Sequence, residues 1–170
     1  MDLWVLGIAL FLCVCCTILY AVSIFRSPRT SRPPLKPNPP APADVKQKTD
    51  VMARVDGMNR QDFERFCAEL LEHSGYQQVH VTQGTGGQGV DIVAVKRGLR
   101  YAFQCRRNSS KIENTAVQQM HTGQMLYSCS VGVVITNNYF TAGAKQTART
   151  VGVELWDRDV LCDKIARLCG

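Results

Sequence analysis

Three polar side chains in the stretch 84–107 interrupt apolar patterns and have the types and spacing needed for phosphodiester chemistry. Asp91 lies inside the run Gly-Val-Asp-Ile-Val-Ala-Val, and Gln104 and Arg106 lie two residues apart in the next apolar run. Because side chains alternate faces along a strand, Gln104 and Arg106 should share one face. A turn at 97–98 would bring Asp91 beside that face. A carboxylate, an amide oxygen and a cation around one point suit metal-dependent phosphodiester cleavage.

A structural role is the alternative for Asp91. A buried carboxylate is costly unless it is paired, and Asp91 could form an ordinary ion pair with Arg106. Spacing alone leaves both explanations open, because charge clusters in proteins are often structural.

The loop before Asp91 is rich in glycine and contains Gly84, Gly86, Gly87 and Gly89. A nucleotide-binding phosphate loop is not indicated, since no Gly-Lys-Ser/Thr ending and no helix pattern follow. We expect the glycines to allow a tight approach to Asp91, for example by a nucleic-acid backbone.

The charge of the chain favours a polyanionic partner. The 170 residues carry a formal net charge of +6, of which residues 1–50 contribute six Lys or Arg against three acids. The remainder is mildly basic. Its cations cluster around the central stretch, where they form either a solvated rim of the sheet or a phosphate-contacting patch. They are Lys96, Arg97, Arg100, Arg106, Arg107 and Lys111.

The 8 cysteines do not indicate a metal site or a disulfide framework. None of the five that follow residue 50 forms a C-x-x-C pair. We expect them to be small apolar fillers in a reducing compartment.

Residues 3–25 are almost entirely apolar and contain no charge, and about twenty such residues span a bilayer as a helix. The basic residues lie only on the C-terminal side, which predicts that the rest of the chain is cytoplasmic. Residues 1–26 are therefore predicted to be a single-pass membrane anchor. A cleaved signal peptide is the alternative, but the basic start and short core are missing. A lipoprotein would need small residues before Cys13, where Leu-Phe-Leu stands.

A proline-rich linker is predicted over residues 27–50. All 7 prolines fall between residues 27 and 44, which favours an extended spacer that holds the following domain away from the membrane. A ligand for a proline-binding module is the alternative function of this segment.

The folded domain is predicted over residues 51–170 as an α/β/α sandwich around a mixed sheet, because helix and strand patterns alternate along it. The expected helices are 59–75, beginning at Asn59 or Gln61, and 112–126, 140–150 and 159–168. The expected strands are 78–82, 90–95, 101–107, 131–136 and 151–155. Within the first helix, Phe63, Phe66, Cys67, Leu70 and Leu71 form an apolar face. Thr141 is expected to cap the third helix.

Several short motifs occur in order from about residue 58 to the C terminus. They are Asp62-Phe63-Glu64, Leu70-Leu71 with Gly75-Tyr76, Val81-Thr82, Gly89-Val90-Asp91-Ile92, Gln104-Cys105-Arg106-Arg107, and Gly132 to Thr136 with Phe140-Thr141. In this order they resemble the Mrr-type restriction endonuclease domain, a branch of the PD-(D/E)xK nuclease superfamily. The similarity covers most of the chain after the linker.

The resemblance implies a restriction-endonuclease-like fold and a metal-dependent endonuclease that acts on DNA. Asp91 would bind the metal, Gln104 would complete its shell, and Glu64 would add a further acid. The cation would be Mg²⁺ or Mn²⁺, since Mg²⁺ prefers oxygen ligands. For Glu64, a solvated position on the outer helix face is the alternative. Four basic residues are expected to contact DNA: Lys96, Arg100, Arg107 and Lys111.

Arg106 departs from the family pattern, which has lysine two residues after the glutamine. Lysine can lose its proton and act on the attacking water, whereas arginine stays charged. Arg106 can still bind the phosphate, so the catalytic candidates are Asp91, Gln104 and Arg106. A lysine reaching in from nearby, either Lys96 or Lys111, is the alternative.

Three functions therefore stay open from the sequence. They are a membrane-tethered DNA endonuclease, a nuclease-fold module that holds DNA at the membrane without cutting it, and a membrane protein whose domain serves protein assembly. The sequence also leaves open the oligomeric state, a homo-oligomer included, and the choice between DNA and RNA.

Overall fold

The structure, a computed structural model, describes residues 42–82 and 89–169. The predicted membrane anchor at 1–26, most of the predicted linker, and Gly84, Gly86 and Gly87 lie outside the described residues. Within the described ranges, no helix is both long enough and apolar enough to cross a bilayer.

The described part of the chain contains helices on both sides of one sheet. The helices are α1 (Pro42–Gly57), α2 (Arg60–His73), α3 (Asn114–Leu126), α4 (Ala142–Val151) and α5 (Arg158–Cys169). The strands are β1 (Gln77–Val81), β2 (Ile92–Lys96), β3 (Leu99–Arg106), β4 (Val131–Thr136) and β5 (Glu154–Trp156).

The five strands form one mixed sheet in the order β1-β2-β3-β4-β5. Strands β1, β2 and β3 are antiparallel, with Ile92 opposite Phe103, whereas β3, β4 and β5 are parallel, with Arg106 beside Thr136. The start of β2 therefore lies at the same edge of the sheet as the ends of β3 and β4. The predicted mixed sheet is confirmed.

Two apolar cores lie on the two faces of the sheet, because alternate strand residues point to opposite faces. Helices α1, α2 and α5 cover one face, and α3 and α4 cover the other. The first core includes Phe63, Cys67, Leu70, Leu71, Ile92, Phe103, Cys105, Val133 and Ile135, and the second includes Val93, Ala102, Val117, Met120, Val134, Ala144 and Ala148. This arrangement is the predicted α/β/α sandwich.

Side-chain caps fix the starts of two helices. The Asn59 side chain accepts a hydrogen bond from the N–H of Asp62, which begins α2 at Arg60. Thr141 Oγ1 accepts from the N–H of Ala144 at 3.2 Å and caps α4, as predicted. Each cap satisfies a backbone donor that has no partner inside its helix.

The predicted boundary at residue 51 is wrong, because it falls inside α1. Residues 42–50, part of the predicted linker, are helical. Proline is tolerated in the first turn of a helix, where its missing N–H is not needed. After Pro42 no further proline or glycine occurs before Gly57, where the helix ends.

The last strand is displaced from its predicted position at 151–155. Val151 belongs to α4, and Gly152 follows it with a φ of +74°. Glycine adopts this left-handed conformation readily and ends the helix. The strand therefore begins only at Glu154.

Candidate functional site

Asp91 lies immediately before β2 and is held in the sheet on both sides. Its N–H donates to the carbonyl of Phe103 at 2.8 Å, and its carbonyl accepts from the N–H of Thr82 at 2.9 Å. Continuing the β2–β3 register places Asp91 opposite Gln104. The predicted adjacency of these two residues is therefore found in the fold.

The Asp91 carboxylate is buried, and each oxygen has a different partner. Oδ2 accepts a hydrogen bond from the backbone N–H of Cys105 at 2.7 Å. Oδ1 accepts from Nη2 of Arg60 at 3.1 Å. Since Cys105 stands between Gln104 and Arg106, the first contact ties the carboxylate to the Gln-x-Arg segment itself.

Glu64 joins Asp91 through the same guanidinium. Nε of Arg60 lies 2.7 Å from Oε1 of Glu64, one helical turn along α2. The Glu64 side chain is only 14% exposed, so the alternative of a solvated position is wrong. The hydrogen bond to Glu64 and the nearby charge of Asp91 raise the pKa of Arg60 above its usual value. Arg60 therefore bridges the two carboxylates as a cation.

A second group of contacts lies between the end of β3 and α3. Oε1 of Gln119 accepts a hydrogen bond from Nη2 of Arg106 at 2.5 Å and a long one from Nε2 of Gln104 at 3.4 Å. The side-chain ion pair of Asp91 is thus with Arg60, and the alternative pairing with Arg106 is not found.

Arg106 can only donate hydrogen bonds, and this fixes the orientation of the side-chain amides of Gln119 and Gln104. Arginine has no acceptor, so Gln119 presents its oxygen to it. That oxygen in turn attracts the NH₂ group of Gln104. Oε1 of Gln104 is then left buried and without a hydrogen-bond partner among the described residues.

Close packing against the side chains of Gln104 and Gln119 requires glycine at position 89. Its φ is +70°, and a Cβ atom added to it would lie 2.8 Å from Nε2 of Gln104 and 3.0 Å from Cβ of Gln119. A side chain would therefore displace Gln104 and also strain the backbone. The close approach that the sequence predicted here is made by the site's own amides.

Two of the predicted DNA-contacting residues lie at the edge of the sheet that carries Asp91. Arg107 and Lys111 follow the end of β3 and are exposed. Nη2 of Arg107 donates to the carbonyl of Asp56 at 3.1 Å, which holds the side chain near α1.

Lys96 and Arg100 lie at the opposite edge of the sheet, where Arg100 pairs with Val95 across the β2–β3 turn. From Arg100 to Gln104 the strand rises roughly 13 Å. Nζ of Lys96 donates to the carbonyl of Ser74 at 2.7 Å and lies 4.3 Å from the centroid of the Tyr76 ring. Lys96 is thus held away from Arg106, which argues against it as the substitute lysine.

The oxygen atoms at this edge fit a hard divalent cation. The Asp91 and Glu64 carboxylates converge on one positive group, and the Gln104 oxygen is buried without a partner in the described structure. Mg²⁺ and Mn²⁺ favour such carboxylate and carbonyl ligands. Within residues 42–82 and 89–169, no group of three or more His, Cys, Asp or Glu forms a metal site. Gln104 lies opposite Asp91 in the sheet, and its amide oxygen would supply the third ligand.

The Cys105 thiol takes no part in this chemistry. Its hydrogen bond with Cys67 and its burial raise the pKa of Cys105 well above its ordinary value. A protonated, enclosed thiol is a poor nucleophile and a poor metal ligand. Only the backbone N–H of Cys105 serves the site.

Sequence reasoning missed two residues of the site, Arg60 and Gln119. Arg60 lies four residues before Glu64, and side chains at this spacing on a helix can form an ion pair, so this contact could have been predicted from the sequence. Its second contact, to Asp91, spans 31 positions and depends on how α2 docks. For Gln119 no local signal exists, because its partners lie on β3.

The sequence matches a protein-family model. The Mrr_cat model, which is described as a restriction endonuclease, matches residues 55–165. Among curated proteins, none matches this sequence significantly.

Two solved structures share the fold. The DNA modification-dependent restriction endonuclease AspBHI is 14% identical, with a TM-score of 0.58 over 78% of this chain and 37% of that one. The MspJI restriction endonuclease in complex with a 27-mer oligonucleotide is 18% identical, with a TM-score of 0.50 over 76% of this chain and 33% of that one. This chain therefore spans only about a third of either structure, and at these identities the likeness concerns the fold.

Proposed function

Because the chain belongs to the restriction endonuclease family, whose model spans residues 55–165, we propose that it is a DNA endonuclease of the Mrr type that requires Mg²⁺ or Mn²⁺. One observation carries the metal dependence. The carboxylates of Asp91 and Glu64 converge on the Arg60 guanidinium, and Gln104, which lies opposite Asp91 in the sheet, has a buried side-chain oxygen without a partner in the described structure.

The reaction joins a water oxygen to phosphorus and breaks one phosphorus–oxygen ester bond. Asp91, Glu64 and Gln104 would hold the divalent cation, which would supply positive charge against the phosphate and acidify a water molecule. Asp91 is fixed for this role by the N–H of Cys105, which holds Oδ2, while Oδ1 faces the guanidinium of Arg60 that also contacts Glu64. Gln104 is fixed by Gln119.

Arg106 binds and polarises the phosphate in this proposal. Its charge is permanent, so it cannot accept the proton that leaves the attacking water. That proton passes to solvent or to a phosphate oxygen, and the strand oxygen that leaves phosphorus takes up a proton from solvent. The rate therefore depends more on phosphate positioning than in a site that contains a lysine base.

The DNA backbone runs along the edge of the sheet that carries Asp91. Arg107 and Lys111 are exposed there and supply positive charge for phosphate contacts. We do not extend this role to Lys96 and Arg100, because they lie at the opposite edge of the sheet.

Binding of DNA without cleavage is the second candidate function, and Arg106 is the observation that favours it. With arginine at the lysine position, the site retains its metal-binding oxygens and lacks a proton acceptor. The same DNA surface would then hold a duplex without hydrolysing it.

The membrane tether remains a proposal that rests on residues 3–25 alone. Their apolar run is long enough to cross a bilayer. We expect the full chain to sediment with membranes after high-salt washing and to become soluble when residues 1–26 are deleted. A full chain that salt releases would contradict the tether.

The activity is tested by incubating the full chain, purified in detergent, with supercoiled plasmid that is either methylated or unmethylated. We expect nicked or linear DNA when Mg²⁺ or Mn²⁺ is present and none when EDTA is present. RNA in parallel reactions tests the choice of nucleic acid. Retarded but uncut plasmid in every reaction would support the second candidate.

A further inference from the structure

Arg60 occupies the position between the two carboxylates that the proposed function assigns to a metal ion. We propose that Arg60 and the divalent cation compete for Glu64 and Asp91, so that Arg60 lowers the metal affinity of the resting site. This inference rests on the proposed metal dependence. It adds a residue that the family resemblance does not supply.

The geometry of the contact supports direct competition. Nε of Arg60 binds Oε1 of Glu64 at 2.7 Å, and Nη2 binds Oδ1 of Asp91 at 3.1 Å. These two oxygens face the same guanidinium and are the ones a shared cation would use. The other Asp91 oxygen stays bound to the N–H of Cys105. The cation and Arg60 therefore need the same two atoms.

The exposed fractions of the three side chains show which of them can move away from the site. Glu64 is 14% exposed and Asp91 is 9% exposed, whereas Arg60 is 69% exposed. The carboxylates are fixed by the fold, and the guanidinium reaches them from the solvent side. Rotation of Arg60 into water needs no movement of β2 or β3.

Electrostatics favours replacement of Arg60 by the metal ion between the two carboxylates. Two nearly buried carboxylates repel each other unless a cation lies between them. Arg60 supplies one positive charge, and Mg²⁺ supplies two at shorter distances to oxygen. The metal can therefore displace Arg60, but its binding is weakened by the contacts that Arg60 must give up.

The test is titration of the full chain with Mg²⁺ and with Mn²⁺ by isothermal calorimetry, without DNA. We expect Arg60→Gln to bind each metal roughly three- to tenfold more tightly than wild type, given the usual strength of ion pairs with one exposed partner. Arg60→Lys should lie between the two, because one ammonium cannot hold both carboxylates as a planar guanidinium does.

Arg65→Gln is the matched control. Arg65 is on the same helix, is 70% exposed and pairs with Asp62 rather than with Asp91. Its replacement removes the same charge, and we expect the metal affinity to stay within about twofold of wild type, since an exposed charge is screened. An equal gain in both variants would show a general charge effect and overturn the proposal.

Thermal unfolding without metal adds a second readout. Arg60→Gln should melt at a lower temperature than wild type because the carboxylates are left unpaired, and added Mg²⁺ should narrow that difference. If wild type binds metal in an Asp91-dependent way and Arg60→Gln binds it equally or less tightly, the competition is refuted while the proposed function stands. If neither protein binds metal, both fail.

Discussion

Oε1 of Gln119 lies 2.5 Å from Nη2 of Arg106, and this contact links helix α3 to the last residue of strand β3. The same oxygen faces the NH₂ group of Gln104. Through this shared acceptor, Arg106 orients the side-chain amide of Gln104, which is a ligand in the proposed metal site. The Gln104 oxygen becomes available to a cation only in this orientation.

Loss of the Gln119 acceptor should weaken metal binding. In Gln119→Leu nothing holds the Gln104 amide, which can then turn its NH₂ group toward the cation. We expect Mg²⁺ affinity to fall by about tenfold, as is usual when a partner of a metal ligand is lost. Calorimetric titration of the full chain measures this affinity.

Two further variants test whether Gln119 raises the Mg²⁺ affinity by holding the Gln104 amide in position. Gln119→Glu keeps an acceptor for both Gln104 and Arg106 and should restore most of the affinity. Gln118→Leu changes the neighbouring, exposed glutamine and should leave the affinity unchanged. If Gln119→Glu were as weak as Gln119→Leu, hydrogen bonding would not explain the loss.

Replacement of Arg106 by lysine should speed cleavage and change its pH dependence. A lysine can lose its proton to the solvent and then accept one from water, so we expect a rate increase of roughly tenfold or more. The rate of Arg106→Lys should also rise with pH more steeply than that of wild type. Plasmid nicking measured from pH 6 to pH 10 tests both effects. An unchanged rate and profile would show that residue 106 serves only to bind.

Charge removal at the site edge should weaken DNA binding and its dependence on salt. The double variant Arg107→Gln/Lys111→Gln should lower the slope of log affinity against log salt by about one unit for each lost phosphate contact. Fluorescence anisotropy with a labelled duplex measures the slope. Arg97→Gln/Arg100→Gln removes equal charge at the opposite edge and should leave it unchanged. Equal losses in both variants would contradict the assigned DNA path.

Asp56 should stabilise the domain at neutral pH and lose this effect in acid. Its hydrogen bonds with Arg158 lower the pKa of Asp56 below its usual value, so the carboxylate is favoured in the folded state. That stability is present above the unfolded pKa of about 3.9 and disappears as the pH falls through the folded value.

Asp56→Asn tests this pH dependence. We expect it to lower the free energy of unfolding by about 1 kcal/mol at pH 7, since the pair with Arg158 is about a third exposed. Denaturant titrations from pH 7 to pH 2.5 should show the difference shrinking below pH 4. Asp50→Asn, at an exposed position of the same helix, is the control. A difference that is constant with pH would contradict the role of the ion pair.

The sequence predicted the sheet and most helices because their signals are local. The apolar run 131–136, the spacing of Phe63, Cys67 and Leu70, and the cap at Thr141 depend on neighbours within one or two turns. The adjacency of Asp91 and Gln104 followed from strand alternation and a tight turn.

The remaining features depend on tertiary contacts or on competing local signals. Helix α1 was missed because the proline run before Pro42 favoured an extended chain. The burial of Glu64 and the bridging contact of Arg60 arise only when α2 docks on the sheet, and Gln119 reaches Arg106 only through the packing of α3. A single sequence gives no measure of such docking.

The most direct test of the proposed endonuclease site is Mg²⁺-dependent nicking of supercoiled plasmid by the full chain beside its Asp91→Asn variant. Asp159→Asn, an exposed carboxylate on α5, is the control for the substitution itself. We predict that wild type and Asp159→Asn nick the plasmid when Mg²⁺ is added, whereas Asp91→Asn falls to background. Nicking by Asp91→Asn at the rate of wild type would contradict the assignment of this site.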